Sequence, residues 1–585
     1  MNQNLAKILR EISVLLEIKG VEFKPQAYEK VAHSIEMLEE DVKDIYQKGG
    51  LKALEEISGV GRGIAEKIEE YIKNRRIKDH ALLKKEIPVD IDELSTVEGV
   101  GPKMILRLYE ELKIKTRDQL EKAARAGKLR GLEGFGQKTE ENILRSIDFL
   151  KKEHGRFILG FVMPEMRAIV EKIRKVPGVE RAEFAGSIRR MQETVGDLDI
   201  LVISKKPSLA MDFFVTMPEV AAIYAKGNTK SSVRLKMGMD ADLRVLPPES
   251  FGAALQYFTG DKYHNVQLRQ IAIKQGYKLN EYGLYKGKKL VAGRTEEEIY
   301  EKLGLAWMPP ELRTNGGELV AALRPVRQAC GEQAQGKPDG LPKLVEYGDL
   351  MGDLQIQTDW TDGENSIREM AEAAKKQGLK YICITDHTKT LAMTGGSDEK
   401  KLLRQMAAID EVNRKFKGSG FKVLKGAEVN IMKDGTLDIN DETLAKLDVV
   451  GASVHSNFNM PEKDMTARII RAMENPNVDI IFHPTGRVIK RREAYKVNMD
   501  ELLKSAKRTK TVMEIDAFPD RLDLKDEYIR KAVELGVKLA IDSDAHSVAH
   551  FSYLEFGVAQ ARRGWAEKSD IINTRDWQEM LKQLK

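Results

Sequence analysis

Two aspartates one residue apart, Asp197 and Asp199, follow a Gly-Ser turn and two arginines in Ala185-Gly186-Ser187-Ile188-Arg189-Arg190. Side chains alternate along a strand, so this spacing points both carboxylates to one face and Leu198 into a core. Adjacent carboxylates repel unless something positive lies between them. Hard divalent cations such as Mg2+ take oxygen ligands and share their sphere with substrate phosphates. Gly186, Ser187 and Gly196 offer backbone amides and a hydroxyl to such phosphates, and Arg190 a charge-assisted donor. The plainer reading is an acidic hairpin beside a solvated basic patch; the closeness and complementarity of the parts favour a metal-and-triphosphate site. Downstream, Met239-Asp240-Ala241-Asp242-Leu243-Arg244 has the same period, so either Asp240 or Asp242 can join the pair. Three carboxylates around two Mg2+ or Mn2+ ions could activate a primer 3′-hydroxyl and hold the leaving pyrophosphate.

A second group lies in the last third of the chain. Residues 348–585 alternate short apolar strands (353–358, 380–385, 421–429, 448–454, 478–482, 511–516 and 537–542) with helices, which predicts a parallel barrel. Active sites on such barrels gather at the C-terminal strand ends. Those ends carry Asp386, His387, Glu428, His455, His483, Asp542, Asp544 and His546, with four of the chain's nine histidines among them. One such histidine would be an ordinary core residue or cap. Grouped with carboxylates, they suit Zn2+ or Mn2+.

Residues 1–150 read as helices punctuated by three Gly-apolar-Gly turns: Gly59-Val60-Gly61, Gly99-Val100-Gly101 and Gly134-Phe135-Gly136. Each runs from a short helix into a second one whose first amides face outward, a nest suited to one DNA phosphate without base readout. The alternative is three helical hairpins that only pack on one another. Net charge does not decide it, because residues 1–150 hold 27 Lys+Arg against 28 Asp+Glu.

The 585 residues exceed one core, and 42% hydrophobic with 32% charged residues is the composition of a folded, water-soluble chain. Two cysteines, Cys330 and Cys383, exclude a disulfide framework, and the lack of a long apolar run argues against a membrane span. The expectation is a cytoplasmic monomer.

The three turns resemble helix-hairpin-helix motifs, and the first segment resembles the lyase domain of polymerase beta. By that match Lys67 would form the Schiff base, supported by Tyr28 and Lys24, although Gly63 stands where a phosphate-binding lysine is expected. Gly-Ser-x-Arg-Arg, Gly-Asp-x-Asp and Asp-x-Arg in this order resemble the palm of family X DNA polymerases. The resemblance implies Asp242 as the third carboxylate with Arg244 beside it, and Ser187 and Arg190 on the triphosphate. Tyr257-Phe258-Thr259-Gly260 resembles the turn beside the incoming sugar. Asn265 and Arg269 fall where the family touches the minor-groove edge of the nascent pair, and Asn280 to Tyr285, including Tyr282, continue the match. Lys262 departs from polymerase beta, which has an acid there.

Thr385-Asp386-His387, Glu428, Ser453-Val454-His455, His483-Pro484 and Ser543-Asp544-Ala545-His546 resemble a PHP phosphoesterase domain. By family analogy one metal would use Glu428, His455 and His483, and another Asp362, His387 and His546. The first motif, His-x-His-Thr in the family, is Gln355-Ile356-Gln357-Thr358 here, which leaves Glu428 and Asp544 for the first metal and implies partial occupancy with weak nuclease action. The fold expectation is multidomain α+β and α/β. It comprises a lyase-like domain (1–85), a second helix-hairpin-helix region (86–150), a nucleotidyltransferase palm (151–247), a nascent-base-pair subdomain (248–315), a linker (316–347) and a distorted (β/α)7 PHP barrel (348–585). The expected function is filling of short gaps in gapped or nicked DNA from deoxynucleoside triphosphates. The alternative is a DNA-binding phosphoesterase centred on the barrel.

Overall fold

Amphipathic spacing shapes the N-terminal helices, and the same pattern recurs in a computed structural model that describes residues 1–21, 24–36, 38, 41–57, 59–95, 97, 100–132, 135–152, 155–322, 340–391 and 394–585. The chain divides into two units, Met1–His154 with Val488–Glu493, and Gly155–Arg487 with Ala494–Lys585. In the first, the helices Asn2–Ile18, Arg62–Asn74, Pro102–Leu112 and Gln137–Lys152 and their neighbours share one apolar core reaching from Leu5 to Ile147. Their buried residues recur at three- and four-residue steps, as one helical face requires.

The second unit contains three successive regions. A five-stranded sheet runs in the order Val179–Phe184, Asp197–Ser204, Asp240–Val245, Lys230–Leu235, Val220–Lys226. Asp197–Ser204 and Asp240–Val245 are parallel neighbours, and the helix Leu159–Arg174 packs against Val179–Phe184. Next come the helices Phe251–Thr259 and Lys262–Lys274, a small antiparallel sheet spanning Lys278 to Ala292, and the helix Glu296–Lys302.

Seven parallel strands follow in sequence order: Gly352–Asp353, Tyr381–Ile384, Lys422–Asn430, Val449–Ser453, Ile480–Ile481, Val512–Asp516 and Leu539–Asp542. Each consecutive pair is hydrogen-bonded in parallel. An isolated parallel bridge between Ile356 and Ala545 joins the first and last at the C-terminal rim, making a nearly closed (β/α)7 barrel. Continuous apolar runs such as Tyr381–Ile384 are buried on both faces because helices cover the outside and side chains fill the inside.

The stretch expected as an exposed connection is packed at both ends. Glu318–Ala321 is helical with Leu319 in the core beside Tyr300, while Leu344 and Val345 pack on barrel residues. Residues 323–339 lie outside the described ones. Among the described residues no helix is long and apolar enough to cross a membrane.

Candidate active sites

In the five-stranded sheet, register does the positioning. Asp197 lies opposite Asp240 and Asp199 opposite Asp242 across the parallel pair, while Leu198 and Ile200 are buried beneath. The two candidates for a third carboxylate part company here. Asp240 turns to Arg234 (2.8 Å), whereas Asp242 accepts from Ser232 Oγ (2.6 Å) and Lys230 Nζ (2.9 Å), with Arg244 at 3.3 Å. Burial, then the charges of Asp197 and Asp242, pushes the Asp199 carboxyl up to about 6. Burial acts upward on Asp242 too, but Ser232, Lys230 and Arg244 outweigh it and hold Asp242 below the usual range. A carboxylate pair in which one member is raised by burial and by its acidic neighbours is an electrostatic demand for a cation.

The Gly-Ser turn closes against these acids. Gly186 has φ +63°, and a Cβ there would meet Asp199 Oδ2 at 2.9 Å, so glycine is required on both counts. The Ala185 amide donates to the Asp199 carbonyl (2.9 Å), which locks the turn to the strand. Arg190 donates to the Thr259 carbonyl, and its Nε is buried without a hydrogen-bond partner. Arg189 faces the other way and pairs with Glu296 (2.8 Å), which also holds the fully buried Arg313 (2.6 Å). No sequence signal marked this Arg189–Glu296–Arg313 cluster, because Arg189 lies 107 residues from Glu296.

The residues matched to nucleotide and DNA contact are variously engaged. Asn265 is used internally: its Nδ2 donates to the Tyr257 carbonyl and its Oδ1 accepts from Gln256, both at 2.7 Å. Arg269 Nε donates to the Asn265 carbonyl (3.2 Å). The Arg244 guanidinium lies over the Phe258 ring at 4.4 Å, Tyr257 packs edge-on to Phe258, and Tyr282 is exposed. Gly260 lies beside Arg190 Nη1, and a Cβ would meet it at 3.1 Å; Arg156 is the side chain beside Gly196.

At the barrel rim, Glu428 is the hub. Its Oε1 lies 2.9 Å from His483 Nε2, 3.0 Å from His455 Nε2 and 2.8 Å from Ser453 Oγ. Its Oε2 accepts from Gln357 Nε2 (2.8 Å) and Gln355 Nε2 (3.2 Å). Burial alone would raise this carboxyl; the surrounding His387, His455 and His483 hold it well below the ordinary value. Burial, then Arg521, pushes His483 down to about 3.

Two sets converge with ligand atoms within 4.8 Å of one another: Asp362, His387 and His546, and His387, Glu428 and His455. Imidazoles with carboxylates are a donor set that fits a divalent transition metal. His483 and Asp544 have φ of +30° and +49°, strained backbone held at the rim. The first metal position of the family does not fit. Both glutamines aim N–H groups at Glu428, while their buried Oε1 atoms and Asp544 Oδ1 lack hydrogen-bond partners. Asp386 and Asp542 are structural, binding the Thr358 amide (2.7 Å) and Leu354 amide (2.8 Å) of the first strand's extension.

In the N-terminal unit, Gly61 and Gly101 sit at the N-caps of Arg62–Asn74 and Pro102–Leu112 without a side-chain cap, and Gly136 immediately precedes Gln137–Lys152. Gly61 and Gly101 have ordinary negative φ, and a Cβ on either would meet open space. Among the described turn glycines only Gly59, at φ +78°, is required by the fold itself. A glycine that the fold does not need is what close approach of another molecule's backbone calls for. Gly99 and Gly134 lie outside the described residues. Lys67 is salt-bridged to Asp79, and Tyr28 is buried nearby. Burial lowers the Lys67 pKa, but Asp79 and Tyr28 outweigh it and leave it raised, the opposite of an activated amine.

These features have counterparts in known proteins. Family models match a helix-hairpin-helix domain at residues 1–77, a SAM-like helix-hairpin-helix tandem at 91–148, the DNA polymerase beta thumb at 254–314 and a PHP domain at 353–518. The "DNA polymerase/3′-5′ exonuclease PolX" of Bacillus subtilis is 36% identical over 588 residues, covering 100% of this chain and 99% of its own length. Probable phosphatases of Thermoanaerobacter (35% identical) and Caldicellulosiruptor bescii (32%) match 36% and 33% of this chain and 84% and 77% of their own. Similarity to the Bacillus protein runs from end to end, through the helix-hairpin-helix, thumb and PHP segments, and the chain therefore belongs to the bacterial family X DNA polymerases that carry a PHP domain.

Proposed function

We propose that the chain fills short gaps in DNA by template-directed nucleotidyl transfer at the five-stranded sheet. The observation that carries this is the pairing of Asp199 with Asp242 on adjacent parallel strands beside Asp197. Asp197, Asp199 and Asp242 would hold Mg2+ or Mn2+. Bound there, the ions would stabilise the charge of the triphosphate and make the primer hydroxyl more acidic. The chain's own part is orientation. Gly186 and Ser187 present the turn to the β- and γ-phosphates, Arg190 adds charge, and Arg244 on Phe258 shapes the template side. For Asn265 to sense the nascent pair it must exchange its bonds to Tyr257 and Gln256. Segments 1–85 and 86–150 would grip DNA phosphates through the glycine turns, 151–247 and 248–315 would form the palm and base-pair subdomain, and 348–585 the PHP domain, with the chain acting as a monomer. Lys67 would need Asp79 displaced before acting as a lyase. Primer extension on gapped DNA by the full chain tests the reading: Asp197→Ala with Asp199→Ala should abolish it, and undiminished extension would overturn it.

The convergence of His387, Glu428 and His455 favours a second activity at the barrel, 3′→5′ exonucleolytic or phosphatase cleavage on Zn2+ or Mn2+. Glu428, His455 and His483 would hold one ion, and Asp362, His387 and His546 another. Asp544 would remain without the two imidazoles needed for a third, which leaves the nuclease weak.

A further inference from the structure

The segment between the Gly-Ser turn and the paired aspartates is held from the barrel. Residues 191–196 separate Arg190 from Asp197. On the palm side their backbone is fixed by the Phe157–Ile158 ladder with Thr194–Val195 and by the Leu159 amide, which donates to the Glu193 carbonyl (3.0 Å). The Glu193 side chain points into the barrel domain. Arg487 grips it with two nitrogens, Nη2 to Oε1 at 2.6 Å and Nη1 to Oε2 at 3.2 Å, and Gln560 Nε2 donates to Oε1 at 2.8 Å. Arg563 donates to the Met191 carbonyl and to Gln560 Oε1, so the barrel holds the segment at Met191 as well as at Glu193. Gln560 is itself anchored to the Leu522 and Leu524 carbonyls at 3.2 and 3.0 Å.

This contact is built rather than incidental. The Arg487 and Glu193 side chains are only 13% and 21% exposed, so removing either leaves a charge with little water to replace its partner. The surrounding surfaces are close: a Cβ on Gly160 would meet Pro519 at 2.6 Å, and Phe161 packs edge-on to Phe518. A bidentate arginine–carboxylate pair fixes direction as well as distance. Here the direction it fixes is that of a four-residue lead into Asp197. Nucleotidyl transfer needs the carboxylates and the triphosphate turn in one geometry, and a shift of about 1 Å can cost on the order of a hundredfold in rate.

We propose that Glu193 is a positioning residue for nucleotidyl transfer, and that Arg487 and Gln560 of the PHP domain act through it to hold the palm's carboxylate strand in place. The barrel thereby serves the polymerase whether or not its own metal site is active. The inference rests on the polymerase reading above, and its test separates the two. In the full chain, Arg487→Ala should slow single-nucleotide gap filling on the order of tenfold or more in kcat, with the KM for nucleotide within about twofold. Glu193→Ala should match it, and the double variant should be no slower than either, because both remove one interaction. Hydrogen exchange of the protein alone gives a readout independent of activity: amides of 191–199 should exchange faster in Arg487→Ala and recover only in part in Arg487→Lys, whose single ammonium cannot make the bidentate pair. Should Arg487→Ala not fold, Glu193→Gln carries the same measurements. Unchanged exchange in 191–199 overturns the positioning role even if no polymerase activity is found. Unchanged kcat, or single effects that multiply in the double variant, overturns it where activity is present.

Discussion

The palm and the barrel solve the same problem, concentrating negative charge for cations, in opposite ways. In the palm, two neighbouring parallel strands put Asp197, Asp199 and Asp242 on one face, and the backbone register alone makes them neighbours. Their repulsion is left standing at Asp199 and relieved at Asp242 by Lys230 and Arg244. In the barrel, the donors come from the ends of many strands and converge on Glu428, whose oxygens are fully occupied by protein donors. A centre built on adjacent strands stays intact if the ladder is intact. A centre assembled from many loops can lose one position, as at Gln355 and Gln357, while the rest persists.

The comparison can be broken most sharply within the palm. Asp240 and Asp242 share a face, but only Asp242 adjoins Asp199, so Asp242→Asn should cost several kcal/mol of transition-state stabilisation, on the order of a thousandfold in gap filling. Asp240→Asn should stay within about twofold, as befits an exposed pair with Arg234. Equal losses would show that the face, and not the register, matters.

The barrel should respond in the opposite sense. Gln355→His with Gln357→His should raise bound metal toward a third equivalent and increase 3′ degradation about 10- to 100-fold, the scale on which metal-site partners act. Extension should not change. Rapid 3′ degradation by the unaltered chain, abolished by His455→Ala, would mean the glutamines leave a working centre.

A smaller effect separates the supports of the two sites. Glu296 bridges Arg189 in the Gly-Ser turn and buried Arg313; burial raises its pKa, but the two arginines outweigh this and hold it far below the ordinary glutamate value of 4.5. A depressed folded pKa gives stability that is present above 4.5 and lost as pH falls through the folded value. Glu296→Gln should therefore lower stability at neutral pH by about 3–5 kcal/mol. The deficit should narrow below pH 4.5, and one that is constant with pH would assign the loss to packing. Least of all, Lys67→Ala should leave gap filling within about twofold, and borohydride trapping on an abasic end should show whether Asp79 ever releases this amine.

Local pattern reached far into this protein. Period-two spacing placed Asp197 and Asp199 together, alternation of strands and helices gave the barrel, and strand ends gave His387, His455, His483 and His546, because backbone geometry repeats over a few residues. The glycine turns were legible for the same reason. What lay outside such reach was every arrangement made across sequence. Choice between Asp240 and Asp242 depended on which carboxylate the ladder sets beside Asp199 and which meets Arg234. Glutamines at 355 and 357 could be read as lost ligands, but not as donors that occupy Glu428. Arg189–Glu296 and Arg487–Glu193 join residues 107 and 294 positions apart. Sequence determined which side chains stand at each strand end and turn, because that follows from local periodicity. Tertiary structure decided which of them meet, because charge and hydrogen-bond partners are chosen by distance in space.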